Sequence, residues 1–228
     1  MCGIVGAIGT QVSQVSLKNE LNHLARRGPD YQELIEVSKN IYFGSTRLAM
    51  VDPQPRSNQP FVDSDTGDVI SFNGEIYNYL EIKRSLINLG EVFSTESDTE
   101  VLLKYLQRYG SEKLAELNGM FAFAYFNAKN LTLTLARDEL GKKPLYYFHN
   151  GENFIWSSSI QSILNMSGMT KTSQDSDYRF LMLGYYLDPE TISKNVKQIL
   201  PTEILKISIT ESKLELEFSR IKLENSAI

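Results

Sequence analysis

Cys2-Gly3-Ile4-Val5-Gly6-Ala7-Ile8-Gly9 opens the chain directly behind Met1. The run from Ile4 to Ile8 reads as a short buried strand broken by glycines, and glycine inside a strand marks close approach of another group. Cys2 is the only cysteine. An initiator Met before so small a side chain is commonly removed, which would leave a thiol and a free α-amine on one residue. An α-amino group has a pKa of roughly 7.7–8, so near neutrality part of it is an uncharged base. Cys2 would then hold nucleophile and base together. The competing reading is a small apolar residue at the start of a buried strand. A terminus built into a sheet is held in place, as catalysis requires and a frayed end cannot supply.

The composition narrows the classes. At 228 residues, 42% hydrophobic and 22% charged, the chain is one large domain or two small ones of ordinary globular type. A net charge of −5 and a pI near 5.2 argue against nucleic-acid binding. No apolar run approaches the ~18–20 residues that span a membrane, and no basic-then-apolar leader precedes Cys2. A single cysteine makes no internal disulfide, which fits the cytoplasm. One Cys with two distant His, His23 and His149, argues against a metal site. His23 falls in the helix-like stretch Leu17–Arg27 and reads as solvated. His149 stands before the hairpin signal Asn150-Gly151. The α-amine is the better base for the thiol.

The strand candidates are Ile4–Ile8, Leu34–Val37, Ile41–Ser45, Val69–Phe72, Met120–Phe126, Leu131–Arg137, Leu145–Phe148 and Phe154–Ser157. Met120–Phe126 is nearly all apolar and suits a strand buried on both faces. Asn127–Asn130 joins it to the alternating run Leu131–Arg137 as a hairpin loop. A helix is expected over Tyr79–Leu89, with Asn78 as N-cap and Gly90 as stop. A second is expected over Asp98–Tyr109, with Ser97 as N-cap, Glu100 completing a capping box and Gly110 as stop. Residues 1–165 form the mixed core. Residues 166–228 extend the same domain, with a polar loop over Asn165–Ser176, a helix over Asp177–Leu187 and a hairpin of Ile204–Ile209 with Leu214–Phe218. Antiparallel runs with intervening helices point to an α+β fold of two packed sheets with helices outside, not to alternating βαβ units. Gly3, Gly6 and Gly9 lack the strand–turn–helix context of a dinucleotide site.

Three positions could bear chemistry beside Cys2. Asn73-Gly74 follows a strand and reads either as a turn or as a carboxamide and N–H pair for an oxyanion. Arg47 is either a surface arginine at a strand edge or a fork for a carboxylate. Asp98 is favoured in the first turn of a helix, or it reads an ammonium. Arg47 and Asp98 together would suit the zwitterionic head of an α-amino acid.

Several motifs occur together: Met1-Cys2-Gly3-Ile4-Val5-Gly6, Arg27-Gly28-Pro29-Asp30, Arg47-Leu48-Ala49-Met50-Val51-Asp52, Gln59-Pro60, Asn73-Gly74-Glu75-Ile76-Tyr77-Asn78, Ser97-Asp98-Thr99-Glu100, Gly119–Ala124, and Arg137-Asp138 with Gly141 and Pro144-Leu145-Tyr146-Tyr147. In this order they resemble the glutaminase domain of the asparagine synthetase family, among class II glutamine amidotransferases. The resemblance implies a four-layer αββα sandwich of N-terminal nucleophile type with two packed antiparallel sheets. It implies hydrolysis of glutamine to glutamate and ammonia. By position, Cys2 would be the nucleophile and its amine the base. Asn73 and Gly74 would form the oxyanion hole. Arg47 would bind the α-carboxylate, and Asp98 with Glu75 the α-amino end. The domain itself would need no metal or cofactor. ATP and Mg belong to a synthetase domain with a Ser-Gly-Gly-x-Asp-Ser loop, which this sequence lacks, so the expected partner is such a domain or subunit. The chain departs from the family pattern at Arg26, Glu33, Thr46 and Ser159. The other reading is a catalytically silent module that binds glutamine or a partner.

Overall fold

Side-chain parity along the strands generates the layers of this molecule. The computed structural model describes residues 2–169, 174–210 and 213–222. Its elements run β1 (Gly3–Ile8), α1 (Gln14–Leu24), β2 (Tyr31–Ser38), β3 (Ile41–Arg47), β4 (Phe61–Val62), β5 (Val69–Ile76), α2 (Tyr79–Asn88), α3 (Asp98–Tyr109), β6 (Gly119–Asn127) and β7 (Thr132–Arg137). They continue with β8 (Tyr146–His149), β9 (Phe154–Ser157), α4 (Ile160–Ser167), α5 (Gln174–Leu183), β10 (Val196–Gln198), β11 (Glu203–Ile209) and β12 (Leu214–Arg220). The strands make two 6-stranded sheets, ordered β10-β8-β9-β1-β3-β2 and β12-β11-β7-β6-β5-β4. Every strand pairing in them is antiparallel.

Three apolar clusters fill the spaces between layers. On β1, Val5 and Ala7 turn outward against Leu17, Leu21 and Leu24 of α1 and Ile163 and Leu164 of α4. Ile4 and Ile8 turn inward to meet Phe43, Ala122, Phe126, Leu135 and Trp156. On the second sheet, Ile70, Phe72, Phe121 and Phe123 turn outward against Ile82 and Leu86 of α2 and Leu102 and Leu106 of α3. The order helices, sheet, sheet, helices is the expected αββα sandwich. Each fully buried large apolar side chain contributes about 1.5–3 kcal/mol, so the central cluster ties the two sheets together. Trp156 dominates it, packing edge-on to Phe43 at 5.0 Å. Gly6 makes room for that indole, since a Cβ there would lie 2.0 Å from Trp156 Cζ2.

Residues beyond 165 share these sheets: β10 borders β8, and β11 lies between β7 and β12. Among the described residues no helix is long and apolar enough to cross a membrane.

Four local expectations are corrected. Ser97 does cap α3, accepting from the Thr99 N–H at 3.1 Å. Glu100 does not close a capping box, because the preceding turn folds over it and supplies the N–H and hydroxyl of both Ser94 and Thr95. Asn78 makes no side-chain cap on α2. Its carboxamide instead bonds Glu116 O and the Asn118 N–H, clamping the end of β5 to the start of β6. The first residues of the expected loop Asn165–Ser176 belong to α4, held by burial of Ile163 and Leu164; residues 170–173 lie outside the described ones. The helix expected over Asp177–Leu187 is α5, which ends at Leu183 where the Gly184 N–H closes on Phe180 O at 2.7 Å.

Candidate active site

Parity also decides which side chains meet at one end of the sandwich. The inward set on β1 is Ile8, Gly6 and Ile4, so Cys2 continues it beyond the strand. The inward set on β3 is Ile41, Phe43, Ser45 and Arg47, and on β5 it is Val69, Ser71, Asn73 and Glu75. The pairing Gly3↔Thr46 brings Cys2 alongside Arg47. Ser45 Oγ donates to Ser71 Oγ at 2.8 Å, stitching β3 to β5 across the central layer. One inward step further along both strands lie Arg47 and Asn73.

Cys2 is fastened from three sides. The Gly3 N–H donates to Thr46 Oγ1 at 3.1 Å, the Ile4 N–H to Ser158 Oγ at 3.1 Å, and Arg27 Nε to Cys2 O at 3.2 Å. Thr46 Oγ1 donates onward to Leu24 O at 3.2 Å. Asp30 accepts from the Ala49 N–H at 2.8 Å, tying the Arg27–Asp30 segment to the chain leaving β3. The Cys2 thiol faces Leu48 O, with Sγ 3.9 Å away. Burial pushes the thiol above its ordinary pKa, against the nearby Arg47 guanidinium, which favours the thiolate. The sulfur therefore needs a local base to become a nucleophile.

Asn73 is the most unusual residue of the site. Its side chain is 0% exposed, and among the described residues neither Nδ2 nor Oδ1 has a hydrogen-bond partner. Leaving a buried polar group unpaired costs about 1–3 kcal/mol, and such groups in native structures call for an explanation. Beside it, the Gly74 N–H also points away from the ladder. The N–H groups of Phe72 and Ile76 leave the edge of β5 opposite β6, to Gln59 Oε1 at 2.7 Å and Asp98 Oδ2 at 3.1 Å. With a strand period of two, the Gly74 N–H emerges between them. A Cβ on Gly74 would stand 2.2 Å from Met120 O. Gly74→Ala is therefore expected to push β5 off β6, costing about 1–3 kcal/mol as overpacking does. Thermal melting should show a fall of roughly 5 °C; an unchanged melting point would mean the sheet absorbs the methyl group freely.

Arg47 is 4% exposed, so it is not a surface arginine. Its Nη1 donates to Gln54 O and Asn58 Oδ1, and its Nη2 to Val51 O and Asp52 O. The remaining donor, Nε–H, makes no hydrogen bond among the described residues, and no carboxylate there forms an ion pair with this buried cation. Asp52 organises the same loop. Burial alone would raise its pKa, but hydrogen bonds from the Glu96 N–H, Ser57, Arg56 and the Gln54 N–H outweigh that and hold it at about 2. Across the site, burial pushes Asp98 up to about 6, and the neighbouring Glu75 charge adds to the rise, against the Ile76 N–H. Arg47, Gly74, Glu75 and Asp98 line one small cavity of about 30 Å³. Leu48, Met50 and Val51 form its other wall.

The structure thus gathers Cys2, Arg47, Asn73, Gly74, Glu75 and Asp98 at one end of the sandwich. Sequence reasoning missed Arg27, Thr46 and Ser158, which fasten Cys2. Thr46 had registered only as a departure from a family pattern, as had Ser159 next to Ser158. His23 is solvated, as expected, with a side chain 65% exposed.

The chain matches the sequence family described as a glutamine amidotransferase domain over residues 1–217. It is 32% identical over 207 residues to the glutamine-hydrolyzing asparagine synthetase 1 of Bacillus subtilis (strain 168), covering 88% of this chain and 32% of that protein. It is 35% identical over 217 residues to a putative glutamine-hydrolyzing asparagine synthetase 2 of Methanocaldococcus jannaschii, covering 86% of this chain and 42% of that one. The chain thus spans well under half the length of these curated relatives. Among solved structures, the glutamine phosphoribosylpyrophosphate amidotransferase of B. subtilis, complexed with ADP and GMP, shares the fold. The TM-score is 0.68 at 19% identity, over 98% of this chain and 50% of that one. By sequence pattern, relatives and fold together, the chain belongs to the glutamine amidotransferase domain family.

Proposed function

We propose that this chain hydrolyses glutamine to glutamate and ammonia through a Cys2 thioester. The observation that carries the reading is Asn73, a buried carboxamide with both polar atoms unpaired beside an outward-facing Gly74 N–H. Donors held ready without a partner are what a developing oxyanion requires. Once Met1 is removed, the Cys2 amine takes the thiol proton and the thiolate attacks the side-chain amide carbon. Asn73 Nδ2 and the Gly74 N–H hold the oxyanion. The Cys2 ammonium returns the proton to the departing nitrogen, and ammonia leaves a glutamyl thioester. Water, deprotonated by the same amine, then cleaves the thioester to glutamate and frees the thiol. Arg47 holds the α-carboxylate, and Asp98 with Glu75 holds the α-ammonium.

The ammonia is destined for an ATP-dependent amidating synthetase, in the same chain or a separate subunit, with aspartate as the acceptor that the relatives' names imply. ATP and Mg serve that second half-reaction; the first uses neither, and both proceed in the cytoplasm. The test is glutamate release from glutamine by the purified chain, with intact mass confirming a free Cys2. A silent glutamine-binding module is the second reading, favoured by the burial that keeps the Cys2 thiol protonated. Binding without release, and without covalent capture of Cys2 by an electrophilic glutamine analogue, would select it.

The amine clamp has a pH signature. Asp98 must be ionised to hold an ammonium, and its free carboxyl titrates at about 6. In a Cys2→Ala chain, calorimetry should show the glutamine Kd flat above pH 6.5 and rising about tenfold per unit below pH 6. Asp98→Asn should bind weakly with no such slope. A flat profile in the Asp98-containing chain would remove this residue from the clamp.

A further inference from the structure

We propose that Gln59 is a positioning residue for the amino-acid head, the spacer that sets the distance between the free edge of β5 and the N-terminus of α3; the head-group role rests on the glutamine reading above. Gln59 is 4% exposed and bridges two elements. Its Oε1 accepts from the Phe72 N–H at 2.7 Å, and its Nε2 donates to Thr99 Oγ1 at 3.0 Å. Thr99 follows Asp98 in the first turn of α3. Two bridges therefore join this helix end to the strand edge: Gln59 between Phe72 and Thr99, and Asp98 onto the Ile76 N–H at 3.1 Å. Gly74 lies between them, over the small cavity.

The two bridges are unequal. When Asp98 turns to a substrate ammonium, its bond to Ile76 is shared or given up. Gln59 is then the link that still holds Asp98 at the right distance from Gly74 and Arg47. The strand does not need Gln59, because Asn73 and Glu75 remain laddered to β6. Loss of Gln59 should thus move the helix end and leave the strand with Asn73 in place. Its effect should fall on binding of the amino-acid head and spare the chemical step.

The experiment compares Gln59→Leu, Thr99→Val and the double variant with the wild-type chain. Each single variant is expected to raise KM for glutamine tenfold or more with kcat within threefold. The double variant should be no worse than either single, since both remove one bridge. Amide hydrogen exchange gives a readout without substrate: Ile76 should exchange faster in both single variants, while Asn73 and Glu75 keep wild-type protection. Thr99→Val changes a hydroxyl to a methyl and keeps the assay available should Gln59→Leu fail to fold. Unchanged KM with unchanged Ile76 exchange overturns the proposal. So does a parallel loss of kcat, melting temperature and protection throughout β5, which marks general loosening. If the wild-type chain neither binds nor cleaves glutamine, the functional reading fails. The Ile76 exchange rate then decides the spacer role by itself.

Discussion

Cys2→Ala is expected to lower glutamate release by roughly four orders of magnitude or more, while the melting temperature stays within about 2 °C. The two halves of that expectation have separate causes. Without sulfur there is no thioester, and the amine and oxyanion donors that remain can assist only direct attack by water. The fold has little at stake, because the thiol's one hydrogen bond is a long contact of 3.9 Å to Leu48 O. What anchors the terminus is backbone: the Gly3 and Ile4 N–H groups and the Cys2 carbonyl. Release that persists in Cys2→Ala, in protein shown by mass to be unmixed, would sink the thioester route. A large drop in melting temperature would instead make Cys2 a packing residue.

Asn73→Ala should reduce kcat by about a hundred- to a thousandfold, the usual cost of losing one oxyanion donor. It should leave stability unchanged or slightly improved. A buried carboxamide of structural purpose would be hydrogen-bonded, and its removal would strand its partners. Here both polar atoms are already unpaired, so truncation relieves a desolvation cost of about 1–3 kcal/mol. The small cavity left by the side chain offsets part of that gain. The diagnostic result is opposite movement of the two measurements: activity down, melting temperature level or up. A destabilised Asn73→Ala with near-normal kcat would assign the residue to the fold and leave the oxyanion without its side-chain donor.

Much of the fold was legible because packing imposes patterns that sequence displays. Met120–Phe126 is nearly all apolar since β6 is covered on both faces, with Phe121 and Phe123 against the helices and Ala122 and Ala124 in the central layer. The short strands β4 and β10 were not legible: their pairing depends on β5 and β8, not on any pattern of their own. Glu100 was misread because its donors, Ser94 and Thr95, precede the cap and announce nothing. Candidate site residues showed a similar division. Cys2, Arg47, Asn73 and Asp98 are chemically conspicuous, yet only strand parity and the β1–β3 register bring them together. Gln59 stood in a quoted motif and Ser158 beside a departure, yet their bridging roles were not legible, because their partners lie 13 and 154 positions away in the chain.

The anchoring of the first strand bears on how the protein is handled and matured. Any fusion that leaves residues ahead of Cys2 caps the amine on which the proposed reaction depends. The Gly3 and Ile4 bonds would still seat the strand, so such a fusion should fold, bind glutamine and turn nothing over. Affinity tags therefore belong at the far end. Under the proposed reaction, removal of Met1 is the step that frees the amine and so activates the site.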